Sequence, residues 1–122
     1  MALFCRVFHR RARFDFRVRL TFIFPAMLIA LLTVEYALHG NDSLKGKRRV
    51  ANSLKQKTRN TFNVAIAEAG TEESLTRLRL QVVSISNNER HLRSRMDKCL
   101  LMMEAVCSEE MTYSDLEIFD AD

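Results

Sequence analysis

Between Leu44 and Asn60 the chain carries Lys45, Lys47, Arg48, Arg49, Lys55, Lys57 and Arg59 and not one acid. Ammonium and guanidinium groups at that density are the chemistry of phosphate binding, through charge-assisted hydrogen bonds and counterion release. On a helix, Lys45, Arg48, Arg49, Lys55 and Arg59 share one face. Lys47 falls toward the opposite, core side, its stem on apolar surface and its ammonium expected to reach water. Lys45 sits in the first turn, where a cation opposes the helix dipole by about 0.3–1 kcal/mol. No capping acid is nearer than Asp42, which is mild evidence for a bound anion, and a helix N-terminus beside Lys45 and Lys47 is able to hold a phosphate. A solvated charged face is the commoner meaning of such a helix. Both remain open.

Other combinations fail on their own chemistry. Gly40 to Arg48 imitates a nucleotide-binding glycine loop, but the gap between Gly40 and Gly46 is one residue too long. Arg48 also stands where a Ser or Thr would hold magnesium. His39, Asp42 and Ser43 are close in sequence, which is not triad geometry; His39 is expected as a turn residue. Glu104, Glu109, Glu110, Asp115, Glu117, Asp120 and Asp122 form an acidic C-terminal stretch, by default a solvated end or a contact for a neighbouring basic helix. His9, His39 and His91 are too scattered for a zinc site. The expectation is a protein without catalytic residues, metal or cofactor.

The charge is unevenly placed. Of the net +4, residues 1–26 supply +5, from six arginines against Asp15, while residues 27–122 come to −1. The high pI therefore belongs to the leader. Cys5, Cys99 and Cys107 form no even framework and no paired motif, as expected of reduced thiols in the cytoplasm. The Arg-rich start and the apolar run from Leu20 to Val34 imitate a secretory signal. That run is about 15 residues, short of the roughly 20 that span a bilayer. It is followed at once by Glu35 and its best part is needed as a strand. Residues 1–26 are accordingly expected to be a basic extension outside the fold, disordered or preceding a true start at Met27, with no stable membrane insertion. Residues 27–122 form one domain, long enough to bury a core without disulfides.

Leu28 to Leu38 is an apolar strand closed by the turn His39-Gly40-Asn41-Asp42. Asp42 and Ser43 are candidate caps for a helix to about Asn60, with Leu44, Val50, Ala51, Leu54 and Thr58 on its core face. Phe62 to Glu68 is a second strand, closed by Gly70. Leu75 to Ser86 is a third, with Leu78, Leu80 and Val82 alternating against Arg77, Arg79 and Gln81. Asn87 or Asn88 caps a second helix, Glu89 to Val106, whose Leu92, Met96, Cys99, Leu100 and Met103 keep a 3–4 spacing. Tyr113 to Phe119 is a short last strand.

The order β-α-β-β-α-β is that of a ferredoxin-like α+β sandwich, an antiparallel sheet with two helices on one face. Its central strands, the first and third, are apolar on both sides: Ile29 and Leu31 alternate with Ala30 and Leu32, and Val83 and Ile85 extend the pattern. An uncovered apolar sheet face needs a cover, most simply a second copy, so Ile29, Leu31, Val83 and Ile85 are candidate contacts of a homodimer or higher oligomer.

From Met27 onward the chain resembles the YlxP-like family of small bacterial proteins of unknown function. The residues carrying the resemblance are His39-Gly40, Ser43 to Val50, Arg59 to Val64, Ala67-Glu68 and Val83 to Asn87. The resemblance implies a ferredoxin-like fold, a start at Met27, and genes set beside ribosome-maturation and translation factors. The chain departs from that family at Leu75, where Trp is usual, at Gln81 for Gly, and at Gly46, where Glu would complete a capping box with Ser43. Gly46 is expected to weaken the helix start by up to about 1 kcal/mol. The function so implied is a non-catalytic binding module, meeting ribosomal RNA or a ribosome-assembly intermediate through Lys45, Lys47, Arg48, Arg49, Lys55 and Arg59. The alternative is an oligomeric structural adaptor that binds no nucleic acid. Stacking on the sheet, as in RNA-recognition domains, is not expected, because the third strand has no aromatic residue.

Overall fold

A computed structural model describes residues 27–121; the expectations for residues 1–26, among them Cys5 and His9, and for Asp122 lie outside the described residues. The elements are β1 (Leu28–Ala37), α1 (Leu44–Thr61), β2 (Ala65–Glu68), β3 (Arg77–Ser86), α2 (Glu89–Val106) and β4 (Glu110–Asp120). The four strands form one antiparallel sheet in the order β2-β3-β1-β4. This is the ferredoxin-like arrangement, with β1 and β3 at the centre.

Alternation along the central strands sends Ala30, Leu32, Val34 and Tyr36 of β1, and Leu78, Leu80 and Val82 of β3, into one core. The helices meet them with Ala51 and Leu54 of α1 and with Leu92, Met96, Cys99 and Met103 of α2. Each leucine fully withdrawn from water there contributes about 1.5–3 kcal/mol. The Tyr36 hydroxyl crosses the core to donate to the Met103 carbonyl at 3.1 Å, so this buried polar group is satisfied. Burial pushes the Tyr36 phenol above its ordinary range and the Cys99 thiol up to about 11.

The turn after β1 uses Gly40 at φ +77°, a left-handed conformation that glycine alone adopts without strain. Ser43, not Asp42, is the cap of α1: its backbone is extended and its Oγ accepts from the Gly46 amide at 3.0 Å. Asn88 caps α2 in the same way, Oδ1 accepting from His91 N at 3.0 Å.

Three strands start elsewhere than the sequence expectation, and the ends of β1 and β4 differ by one residue. β2 starts at Ala65, because Phe62 is occupied in closing α1 with its N–H on the Thr58 carbonyl at 2.9 Å. β3 starts at Arg77, since the Ser74 hydroxyl accepts from the Thr76 and Arg77 amides and holds a turn there. β4 is the longest strand, not a short one. It starts at Glu110, and a bulge between Glu35 and Tyr36 in its pairing with β1 brings Met111 opposite Tyr36. Leu44 is 43% exposed and so does not join the core face of α1. The buried row is Lys47, Ala51, Leu54 and Thr58.

Candidate nucleic-acid interface

At 1.5 Å per residue, the cations of α1 from Lys45 to Arg59 extend over about 21 Å. Lys45, Arg48, Arg49, Lys57 and Arg59 are exposed, and Lys55 is half-buried. The buried row occupies the far side of the helix, so the charges are turned outward by the packing of Ala51 and Leu54. Among the described residues the ion pairs are His39–Glu110, Lys47–Glu68, Arg77–Glu35 and Arg93–Glu89. None of them neutralises an exposed cation of α1. The first turn contains no acid, so Lys45 adds to the positive end of the helix dipole instead of being offset.

Lys47 is the exception, and its expected place at the anion surface is overturned. Its side chain is 2% exposed, and Nζ is 2.8 Å from Glu68 Oε2. The same ammonium donates to the Ser74 carbonyl at 2.6 Å and to the Thr71 carbonyl. Thr71 Oγ1 in turn donates to Glu68 Oε2 at 3.0 Å and accepts from the Arg79 amide at 2.9 Å. Lys47 is therefore a latch that fastens the loop between β2 and β3 to the first helix. Its three ammonium protons are committed within the chain.

The glycine-containing loop before α1 is committed as well. Asn41 Nδ2 donates to the Ser43 carbonyl at 2.9 Å and to the Leu75 carbonyl at 2.6 Å. A Cβ on Gly46 would collide with Asn41 Oδ1, so glycine is needed there for close approach. His39 faces Glu110, Nε2 to Oε1 2.8 Å, and Ser43 Oγ is used as the helix cap, so no hydrolytic trio assembles.

A groove of about 200 Å³ runs beside the basic helix. One wall is Arg49, Ser53 and Lys57, spaced four apart on α1; the other is Val106, the last residue of α2, with Cys107 to Glu109 after it. The Cys107 thiol at its floor is raised above its ordinary value, by burial first, with Lys57 partly opposing the rise. Sequence spacing contained the first wall, but the second comes from residues some 50 positions away. The candidate contacts Ile29, Leu31, Val83 and Ile85 fall together on the sheet face turned away from the helices. Val83 is 36% and Ile85 54% exposed, while Ile29 and Leu31 are half-buried. The central strands offer no aromatic on that face, so the stacking platform of an RNA-recognition domain is missing there.

Among the described residues no helix is long and apolar enough to cross a membrane. A family model described as "Protein of unknown function (DUF503)" matches residues 29–116. No curated protein matches the chain. A solved structure titled "Structural Genomics, protein YJCS" is similar at 12% identity and a TM-score of 0.43, covering 73% of this chain and 96% of that one.

Proposed function

The chain belongs to the family of proteins of unknown function DUF503, and on that premise we propose that it is a small non-catalytic module that binds RNA through the outer face of α1. The observation that carries this is the row Lys45, Arg48, Arg49 and Arg59, exposed and paired with no carboxylate among the described residues. Lys55 and Lys57 widen the surface, and Lys47 supports it from within. The resemblance to YlxP-like proteins directs the reading to ribosomal RNA or a ribosome-assembly intermediate in the cytoplasm. A face of this kind contacts backbone phosphate and carries little base specificity.

With five or six phosphate contacts, affinity falls by about 10²–10³ between 50 and 200 mM salt. The test is a salt titration of ribosomal RNA binding by the full chain and by the K45E/R48E/R49E variant. The variant is expected to lose affinity, and its slope of log affinity on log salt to shrink by about 2–3. Because the slope is compared within one chain length, the arginines of residues 1–26 contribute equally to both. Equal binding and equal slope in the two proteins refute the proposal. A second reading, an oligomeric adaptor, is favoured by the exposed Val83 and Ile85.

A further inference from the structure

The sheet face opposite the helices is graded along its strands. Ile29 lies between Ile85 and Phe119, and Leu31 between Val83 and Glu117. Two residues further on, Thr33 lies between Gln81 and Asp115, and beyond it Glu35 lies between Arg79 and Tyr113. On β1 and β3 one end is thus apolar, the middle hydrogen-bonding, and the far end charged with both signs, while β4 adds the carboxylates of Asp115 and Glu117 along one side.

We propose that this face binds a second copy of the chain, with the two-fold axis parallel to the strands and midway between β1 and β3. That operation keeps each cross-strand row level with itself and lays β1 of one copy over β3 of the other. Ile29 then faces Ile85, Leu31 faces Val83, Thr33 faces Gln81, and Glu35 faces Arg79. Apolar meets apolar, amide meets hydroxyl, and acid meets base, within the roughly 30° angle at which twisted sheets pack. An axis across the strands would instead set the isoleucines against Glu35 and Arg79, and so is disfavoured. Within its own chain Glu35 already accepts two hydrogen bonds from Arg77, at 3.1 and 2.6 Å, so the charged end is balanced before the copies meet.

The area is sufficient. Strands of ten, four, ten and eleven residues, at about 3.3 Å per residue and about 4.8 Å apart, present about 550 Å² per copy. Two copies bury about 1,100 Å², above the roughly 1,000 Å² that a biological interface should clear. Isologous pairing of this kind closes as a dimer and propagates no further.

The dimer has layers helix, sheet, sheet, helix, so its two α1 helices lie on opposite outer surfaces, on the order of 30 Å apart. If α1 binds RNA as proposed above, one dimer joins two separate RNA segments.

Light scattering on the full chain at about 20 μM is expected to give twice the 14.2 kDa chain mass. V83E and I85E, both at exposed positions, are expected to give monomers with unchanged circular dichroism. K45E/R48E/R49E is expected to remain dimeric, which separates this interface from the RNA surface. With two RNAs bearing donor and acceptor dyes, energy transfer is expected for the wild type and lost in I85E. A wild-type monomer, or a dimer indifferent to both V83E and I85E, overturns the proposal; the monomer would leave the face to a different protein. A dimer that binds no RNA upholds the interface and refutes the role of α1.

Discussion

Replacing Lys47 by methionine preserves the length of the side chain and deletes the charge that fastens the β2–β3 loop. The change strands the Thr71 and Ser74 carbonyls and leaves Glu68 without its counter-charge. Removing one member of a buried ion pair costs about 3–5 kcal/mol. The Glu68 side chain is 19% exposed, so water partly replaces the ammonium and the lower end applies, about 3 kcal/mol. For a domain of this size, that lowers Tm by about 12–24 °C. Thermal unfolding followed by circular dichroism measures it directly. The variant K47M/E68L exchanges the pair for apolar groups and is expected to recover a large part of the loss. Below its unfolding transition, K47M is expected to bind RNA with the wild-type salt slope, because no phosphate contact has been removed. A Tm within 3 °C of wild type (under about 1 kcal/mol) would refute the latch. A salt slope reduced by about 1 would return Lys47 to the binding surface.

Two further outcomes follow from side chains described above. By propensity alone G46A would stabilise α1 by about 1 kcal/mol. The collision with Asn41 Oδ1 instead forces Asn41 off its two carbonyls, at about 0.5–1.5 kcal/mol for each bond. A lower urea midpoint is therefore expected, and a raised one would show that Asn41 moves freely. Glu117 is held above the usual carboxylate range, by burial first and then by the charge of Asp115, and its Oε2 has no hydrogen-bond partner. A raised pKa means that the folded chain binds the proton more tightly. The associated stability is therefore complete below the unfolded pKa and lost as pH rises through the folded one. E117Q is accordingly expected to exceed wild type in urea midpoint at pH 7 and to equal it near pH 3.5. A destabilised E117Q at pH 7 would contradict this.

Periodicity made most of the fold legible. The alternation Leu78, Leu80, Val82 and the 3–4 spacing of Leu92, Met96, Cys99, Leu100 and Met103 specify which face of each element is buried, and all are buried but Leu100, which is half-buried. Boundaries set by distant partners were not legible. Glu110 and Met111 fell outside the expected last strand, yet they pair with Ala37 and Tyr36 more than 70 positions earlier. Lys47 gave a correct position on the wheel but the wrong environment, because its acceptors come from a loop 21–27 residues away and a lysine stem tolerates either burial or water. Gly46 looked like a weak point for the same reason, its neighbour Asn41 being fixed by the Leu75 carbonyl from another loop. The outward cations of α1 were the easiest to foresee, since an exposed charge depends on nothing beyond its own helix.

The two borders of the sheet are defended differently against recruitment by foreign strands. β2 is four residues long and offers a stranger little to grip. β4 offers eleven, with no strand beside its outer flank among the described residues, and there Glu110, Asp115 and Asp120 keep negative charge along the rim. That deterrent is electrostatic and reversible. In acid the rim discharges, and the same length of backbone becomes a template on which misfolded copies can stack.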